Sequence, residues 1–195
     1  MIYLTELLGL PVVDRSGRRL GRLSELILVP ASDPRLVAQF VLRQRRRRLA
    51  VPYHSIQEIS PSALRLSVDL DALSDYSPAD DQLRVTKDLL DQQIIDITGR
   101  KVVRVNDLSF VEQRANGASE IRLAEVDVGL GGALRRLFQG VLPRRLIRKL
   151  ERPLPGRVIP WEFVDLIEPD PQRRIKLKIS HAKLARLHPA DLADI

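Results

Sequence analysis

Between Val12 and Val68 the apolar residues fall into short runs divided by turn-forming residues, which predicts strands and no long helix. Val12-Val13 runs into Asp14-Arg15-Ser16-Gly17, where the aspartate can bond its own backbone and the glycine accepts φ > 0, the chemistry of a tight hairpin. A second strand follows directly. Leu26 to Val29 and Val37 to Leu42 are continuous apolar runs, with Asp33-Pro34 read as the turn before the latter. Arg48 to Val51 reaches Pro52, which cannot donate to a ladder and marks a strand end. Leu64, Leu66 and Val68 then alternate with period two. A small barrel that closes on itself leaves no exposed edge and is the expected architecture.

The pattern recurs. Asp14-Arg15-Ser16-Gly17-Arg18-Arg19-Leu20 and Asp96-Ile97-Thr98-Gly99-Arg100-Lys101-Val102 both read Asp-x-Ser/Thr-Gly-basic-basic-aliphatic, 82 positions apart. The register extends upstream from Val12-Val13 to Ile94-Ile95 and downstream from Arg22 to Leu26 onto Arg104 to Leu108. A second anchor, Val51-Pro52-Tyr53, returns as Ile159-Pro160-Trp161 at an offset of 108, so the second copy carries extra residues between its anchors. The division expected is a first barrel over residues 1–74, a polar linker over 75–82 (Asp75-Tyr76-Ser77-Pro78-Ala79-Asp80-Asp81-Gln82), and a second barrel over 83–180 with an insertion at 129–157, the two barrels packed about a near-twofold axis.

Leu8-Gly9-Leu10-Pro11-Val12-Val13-Asp14, Gly17, Leu20-Gly21 and Leu23, followed by Val51-Pro52-Tyr53 and Ile56, resemble the PRC-barrel pattern of the photosynthetic reaction-centre H subunit and the RimM ribosome-maturation factor. The second copy departs from it, with Gln92 and Val103 standing where the first has Leu10 and Gly21. The resemblance implies a mainly β chain of two tandem small PRC-type barrels and an adaptor role, not a particular function.

Charge changes the picture at one place. The formal net charge is +7 and the pI about 10.2. Between Gly129 and Arg157 lie Arg135, Arg136, Arg144, Arg145, Arg148, Lys149, Arg152 and Arg157 against Glu151 alone. Setting these aside leaves 24 of the 32 basic residues and 24 of the 25 acidic ones, so the excess belongs to the insertion. Leu134, Leu137 and Phe138, then Leu142, Leu146 and Leu150, have helical spacing, which predicts two short helices whose apolar stripes pack on the barrel while the basic residues stay solvated. Arg135, Arg136, Arg144, Arg145, Arg148 and Lys149 are the candidate interaction residues, for an anionic membrane surface or an acidic protein. The Gly129-Leu130-Gly131-Gly132 stretch is read as a flexible entry to the insertion, since it fits no nucleotide-binding spacing. Arg43 and Arg45 to Arg48 are read as a solvated hairpin turn, with a phosphate or acidic-protein contact as the functional alternative. Aromatics are only 4% of the chain, which argues against stacking on nucleic-acid bases.

The chain has no cysteine, so disulfides and thiolate chemistry are excluded, and a cytoplasmic location, at the inner face of a membrane, is expected. His54, His181 and His188 lack metal-ligand spacing. No nucleophile motif or supported carboxylate pair is visible, and the chain is read as non-enzymatic, with no cofactor of its own. After Ile175-Lys176-Leu177-Lys178-Ile179 the text becomes helical, and Leu187-His188-Pro189-Ala190-Asp191-Leu192-Ala193-Asp194-Ile195 resembles the opening of the MgtE intracellular N-terminal domain. Residues 181–195 are thus read as the start of such a domain, with the chain expected to continue past Ile195. That resemblance implies a regulatory or interaction module of a magnesium-transporter-like protein, with Mg2+ a ligand of the longer protein and its other domains, or a second copy, as partners. Asp191 and Asp194 are weak metal candidates, since carboxylates in a first helical turn are explained by the helix dipole. A RimM-like RNA-associated adaptor is the alternative reading.

Overall fold

The computed structural model describes residues 1–115, 118–137 and 157–166. The described fold is mainly β, as the runs predict. Its strands are β1 (Ile2–Tyr3), β2 (Pro11–Val13), β3 (Arg19–Val29), β4 (Asp33–Gln44), β5 (Arg47–Pro52), β6 (Ile56–Ile59), β7 (Leu64–Leu66), β8 (Ser74–Asp75), β9 (Leu83–Arg84), β10 (Gln93–Asp96), β11 (Lys101–Arg104), β12 (Asp107–Ala115), β13 (Ala118–Asp127), β14 (Val158–Pro160) and β15 (Val164–Leu166). One curled sheet of twelve strands follows the path β1-β12-β13-β4-β3-β2-β7-β6, and β11-β10-β15 form a second sheet. Asp33-Pro34 is not the turn. The reversal lies at residues 30–32, and both residues open β4, where the ladder shifts register between Leu28 and Val29 and tolerates a proline at its mouth.

Residues up to Asp75 and those from Leu83 on do not form separate barrels with private cores. Phe40, Leu42, Val51 and Leu66 belong to the same buried cluster as Leu83, Ile94, Phe110 and Val126. The sheet itself crosses over through Arg122↔Leu36, beside an ion pair of Arg122 with Asp33 at 2.7 Å. Ser74–Asp75, at the head of the expected linker, is a strand paired with β5.

The two parts are tied by exchanged segments. Ile2 pairs with Phe110 and Tyr3 with Ser109, while Leu83 pairs with Leu28 and Arg84 with Ile27, so each part lends its opening strand to the other. The one-turn helix α1 (Leu4–Leu7) then follows β1, and a π-helical turn (Val85–Leu89) follows β9. Beyond them the backbone bonds recur 82 positions apart: Gly9 N–H to Leu23 O (2.8 Å) and Asp91 N–H to Val105 O (2.9 Å), Leu23 N–H to Leu10 O (2.9 Å) and Val105 N–H to Gln92 O (3.0 Å). Gly9 (φ 79°) and Asp91 (φ 66°) occupy the same left-handed position.

Each exchanged turn also satisfies a carboxylate of the other part. Thr5 donates from Oγ1 to Asp107 Oδ2 at 2.7 Å and from its backbone to Oδ1 at 3.3 Å. Thr86 donates its backbone N–H to Glu25 Oε1 at 2.7 Å and its hydroxyl to Oε2. Leu26 and Leu108 N–H complete the two sites at 2.9 Å each. Burial pushes the Glu25 carboxyl up against the opposing pull of the Thr86 bonds, with Asp88 adding to the rise.

A carboxyl whose folded pKa is raised binds its proton more readily in the folded chain, so its stabilisation is full in acid and fades as pH rises through the raised value. Glu25→Gln copies the protonated form. Its stability relative to wild type, from urea unfolding at a series of pH values, should therefore climb from acid toward neutrality; a difference that is constant with pH would contradict the burial of an ionising Glu25.

Candidate functional site

β13 leads into helix α2 (Leu130–Leu137). Of the apolar stripe expected to hold this helix, Leu137 is 72% exposed, Leu134 is half-buried and Phe138 lies outside the described residues; the buried face consists of Gly131, Gly132 and Arg135. A Cβ on Gly132 would lie 3.0 Å from the Asp127 carboxylate and 3.2 Å from Asn106 Cβ, so Gly132 is a close-packing position and not part of a flexible entry.

Arg135 is not on a solvated face. Its Nε reaches Asp107 Oδ2 at 2.8 Å, its other arm pairs with Asp127 Oδ2, and its guanidinium carbon lies 3.7 Å from the centroid of the Tyr3 ring. Asp107 is fully buried, and burial pushes its carboxyl up against the opposing pulls of Arg135 and Thr5. Asp127 also caps the helix entry by accepting from Gly129 N–H at 2.8 Å. Two buried carboxylates 20 positions apart in the chain demand a cation, and a guanidinium is the one group that can fork to both. Leu134, beside Arg135, is only half-buried as a result.

The segment that follows α2 is tethered at both ends. Asp127 pairs with Val158 and Glu125 with Pro160, and Val128 N–H donates to the Arg157 carbonyl at 2.9 Å. The corresponding strands β4 and β5 are instead joined by a two-residue turn, Gln44↔Arg47. Arg136 is half-exposed and pairs with Asp91, and Arg157 reaches the buried Asp96 at 3.5 Å. Arg144, Arg145, Arg148, Lys149, the second expected helix, Asp191, Asp194, His181 and His188 lie outside the described residues. His54 sits exposed on the short helix after β5. Among the described residues no three histidines or carboxylates gather as a metal-ligand set, and no helix is long and apolar enough to cross a membrane.

A second charged feature lies on β3, β4 and β5. Arg22 stands directly opposite Arg43 on β4, and Arg43 directly opposite Arg48 on β5, giving a cross-strand row of three like charges. The row borders an open depression of about 750 Å3 lined by Arg18, Arg19, Leu20, Gly21, Arg22, Arg43, Gln44 and Arg45. Two turns position these arginines. Asp14 Oδ1 accepts from Ser16 N–H (3.0 Å), Ser16 Oγ (2.7 Å) and Arg18 N–H (2.8 Å), and the Ser16 bonds hold its carboxyl below the ordinary range. Arg45 takes φ 51° at the β4–β5 turn. Gly21 forms the floor, where a Cβ would overlap the Arg43 carbonyl oxygen and lie 2.6 Å from Leu42 Cδ1. Val103 is tolerated at the matching position because β11 ends at Arg104 and pairs with β10 alone. The sequence marked Arg43 and Arg45 to Arg48; their meeting with Arg18, Arg19 and Arg22 was legible only from the pairing of β3 with β4.

Residues 1–72 match the family model of the PRC-barrel domain. No curated protein matches the chain.

Removing one partner of a buried ion pair leaves the other charge uncompensated, a loss of about 3–5 kcal/mol. Arg135→Gln should destabilise the protein by that order in urea unfolding, with Arg135→Lys recovering only part because an ammonium cannot fork to Asp107 and Asp127 together. A change within about 0.5 kcal/mol, typical of surface substitutions, would place Arg135 outside the core.

Proposed function

We propose that this chain, whose residues 1–72 are a PRC-barrel domain, is a non-enzymatic interaction module in which a second, related barrel holds a basic segment out toward an anionic partner surface. The second barrel is supported by the backbone bonds that recur 82 positions on and by the matched exchange of opening strands. The observation that carries the role is the anchoring of the insertion: Arg135 pins its first helix to two buried aspartates, and its ends meet on β13 and β14. Of the three basic residues of this stretch that lie among the described residues, Arg135 is committed to the core, while Arg136 and Arg157 are half-exposed or exposed and pair with Asp91 and Asp96.

The likeness of Leu187 to Ile195 to the opening of an MgtE intracellular domain makes the setting a magnesium-transporter-type protein, with these barrels regulatory and on its cytoplasmic side. In that setting the anionic surface is the inner membrane leaflet, where each Lys or Arg adds about 1 kcal/mol of attraction that salt screens.

Co-sedimentation with phosphatidylserine vesicles tests this. The wild-type chain should bind at low salt and be released at high salt, and a variant with Arg136, Arg144, Arg145, Arg148 and Lys149 changed to glutamine, Arg135 being kept, should not bind. Equal binding by the two, or none by either, would remove the membrane from the account.

A further inference from the structure

The arginine-lined depression lies on the first barrel, apart from the basic insertion, and its composition is unusual in three ways. All its charged lining residues, Arg18, Arg19, Arg22, Arg43 and Arg45, are arginines, and no carboxylate lines it. Like charges directly opposite across a sheet are destabilising, yet Arg22, Arg43 and Arg48 repeat that conflict over three strands. The acidic residues near by do not relieve it: Asp69 pairs with Arg15 and Asp75 with Arg47, while among the described residues Arg19, Arg43, Arg45 and Arg48 have no carboxylate partner.

We propose that this depression is a binding site for a compact polyanion carrying adjacent phosphate groups. The guanidinium fork matches phosphate oxygens in pairs, which a lysine cannot do, so an all-arginine lining favours bidentate contacts to tetrahedral oxyanions. The volume of about 750 Å3 is that of a small-molecule site, whereas a bilayer surface is flat. Leu20, its one apolar side chain, is buried, so the site offers no exposed anchor of the kind that dominates peptide interfaces. No aromatic ring lines it on which a base could stack. Charge density is what remains to recognise, and a chain of phosphates supplies several negative charges within a few ångströms. Arg22 is part of the frame, since it donates to the Gly9 carbonyl at 2.7 Å, and the exposed Arg19, Arg43 and Arg45 are the residues free to close on the ligand.

Calorimetric titration of the whole chain with inorganic tripolyphosphate, pyrophosphate and orthophosphate at low salt tests the proposal. One saturable site is expected, with affinity falling in that order and weakening as salt is added. The triple variant Arg19→Gln, Arg43→Gln, Arg45→Gln should lose affinity by about tenfold or more. Lys87→Gln, Lys101→Gln, Arg104→Gln removes the same net charge from exposed positions elsewhere and should bind as wild type does. The absence of a saturable site, or equal losses in the two triple variants, would overturn the proposal. So would binding of a uridine oligonucleotide or of phosphatidylserine vesicles that depends on Arg19, Arg43 and Arg45 while tripolyphosphate does not bind. The insertion residues of the vesicle assay are untouched here, so each experiment can fail alone.

Discussion

Two carboxylates at matched points in the sheet, the fully buried Asp107 and the half-buried Glu25, are each satisfied by a threonine carried over from the other part of the chain. A buried acceptor that loses its donors costs the full desolvation of the group, about 1–3 kcal/mol or more if charged. The exchange of opening strands is therefore fixed by polar accounting as well as by apolar burial. β1 cannot leave β12 without stripping Asp107 of Thr5, and β9 cannot leave β3 without stripping Glu25 of Thr86. The single apolar cluster spanning both parts follows from that geometry, because the exchanged turns carry Leu4, Leu7, Val85 and Leu89 across with them.

The sites differ, and the difference positions the basic insertion. By strand register Val41, opposite Ala50, corresponds to Asp127, opposite Val158. Replacing a buried valine by an aspartate beside Asp107 creates a second negative charge in the core, and Arg135 on α2 neutralises both. Among the described residues Glu25 has neither a second acid on that neighbouring strand nor an ion-paired cation; burial lifts its carboxyl as it lifts that of Asp107, with only hydrogen bonds pulling the other way. The same constraint is answered by hydrogen bonds in one part and by an ion network in the other, and that network holds α2 in place.

Much of this was legible in the sequence. The Asp-x-Ser/Thr-Gly hairpins, the runs at Leu26 and Val37 and the Val-Pro-Tyr and Ile-Pro-Trp anchors mark strands because period-two burial and proline's missing donor act locally. The correspondence of Thr5 with Thr86 was hidden for a physical reason. The second turn is π-helical and holds one residue more than α1, so the offset is 81 before it and 82 after it. Arg135 was misplaced because helical periodicity weighs Leu134, Leu137 and Phe138 as apolar without knowing that two aspartates of distant strands wait beneath the helix. Pro34 was taken for a turn because a bulge that admits proline is set by the partner strand, not by the proline.

The central claim is that the exchanged threonines make both parts one cooperative unit. Trp161, the sole tryptophan, sits in the second part on the short helix after β14 and packs against the shared core, so its fluorescence reports there. Thr86→Val removes a bond to Glu25 in the first part. Urea unfolding followed by Trp161 fluorescence and by far-ultraviolet circular dichroism should give coincident single transitions, both shifted to lower urea by the same amount. A Trp161 transition left at its wild-type midpoint while the dichroism signal splits in two would contradict the account.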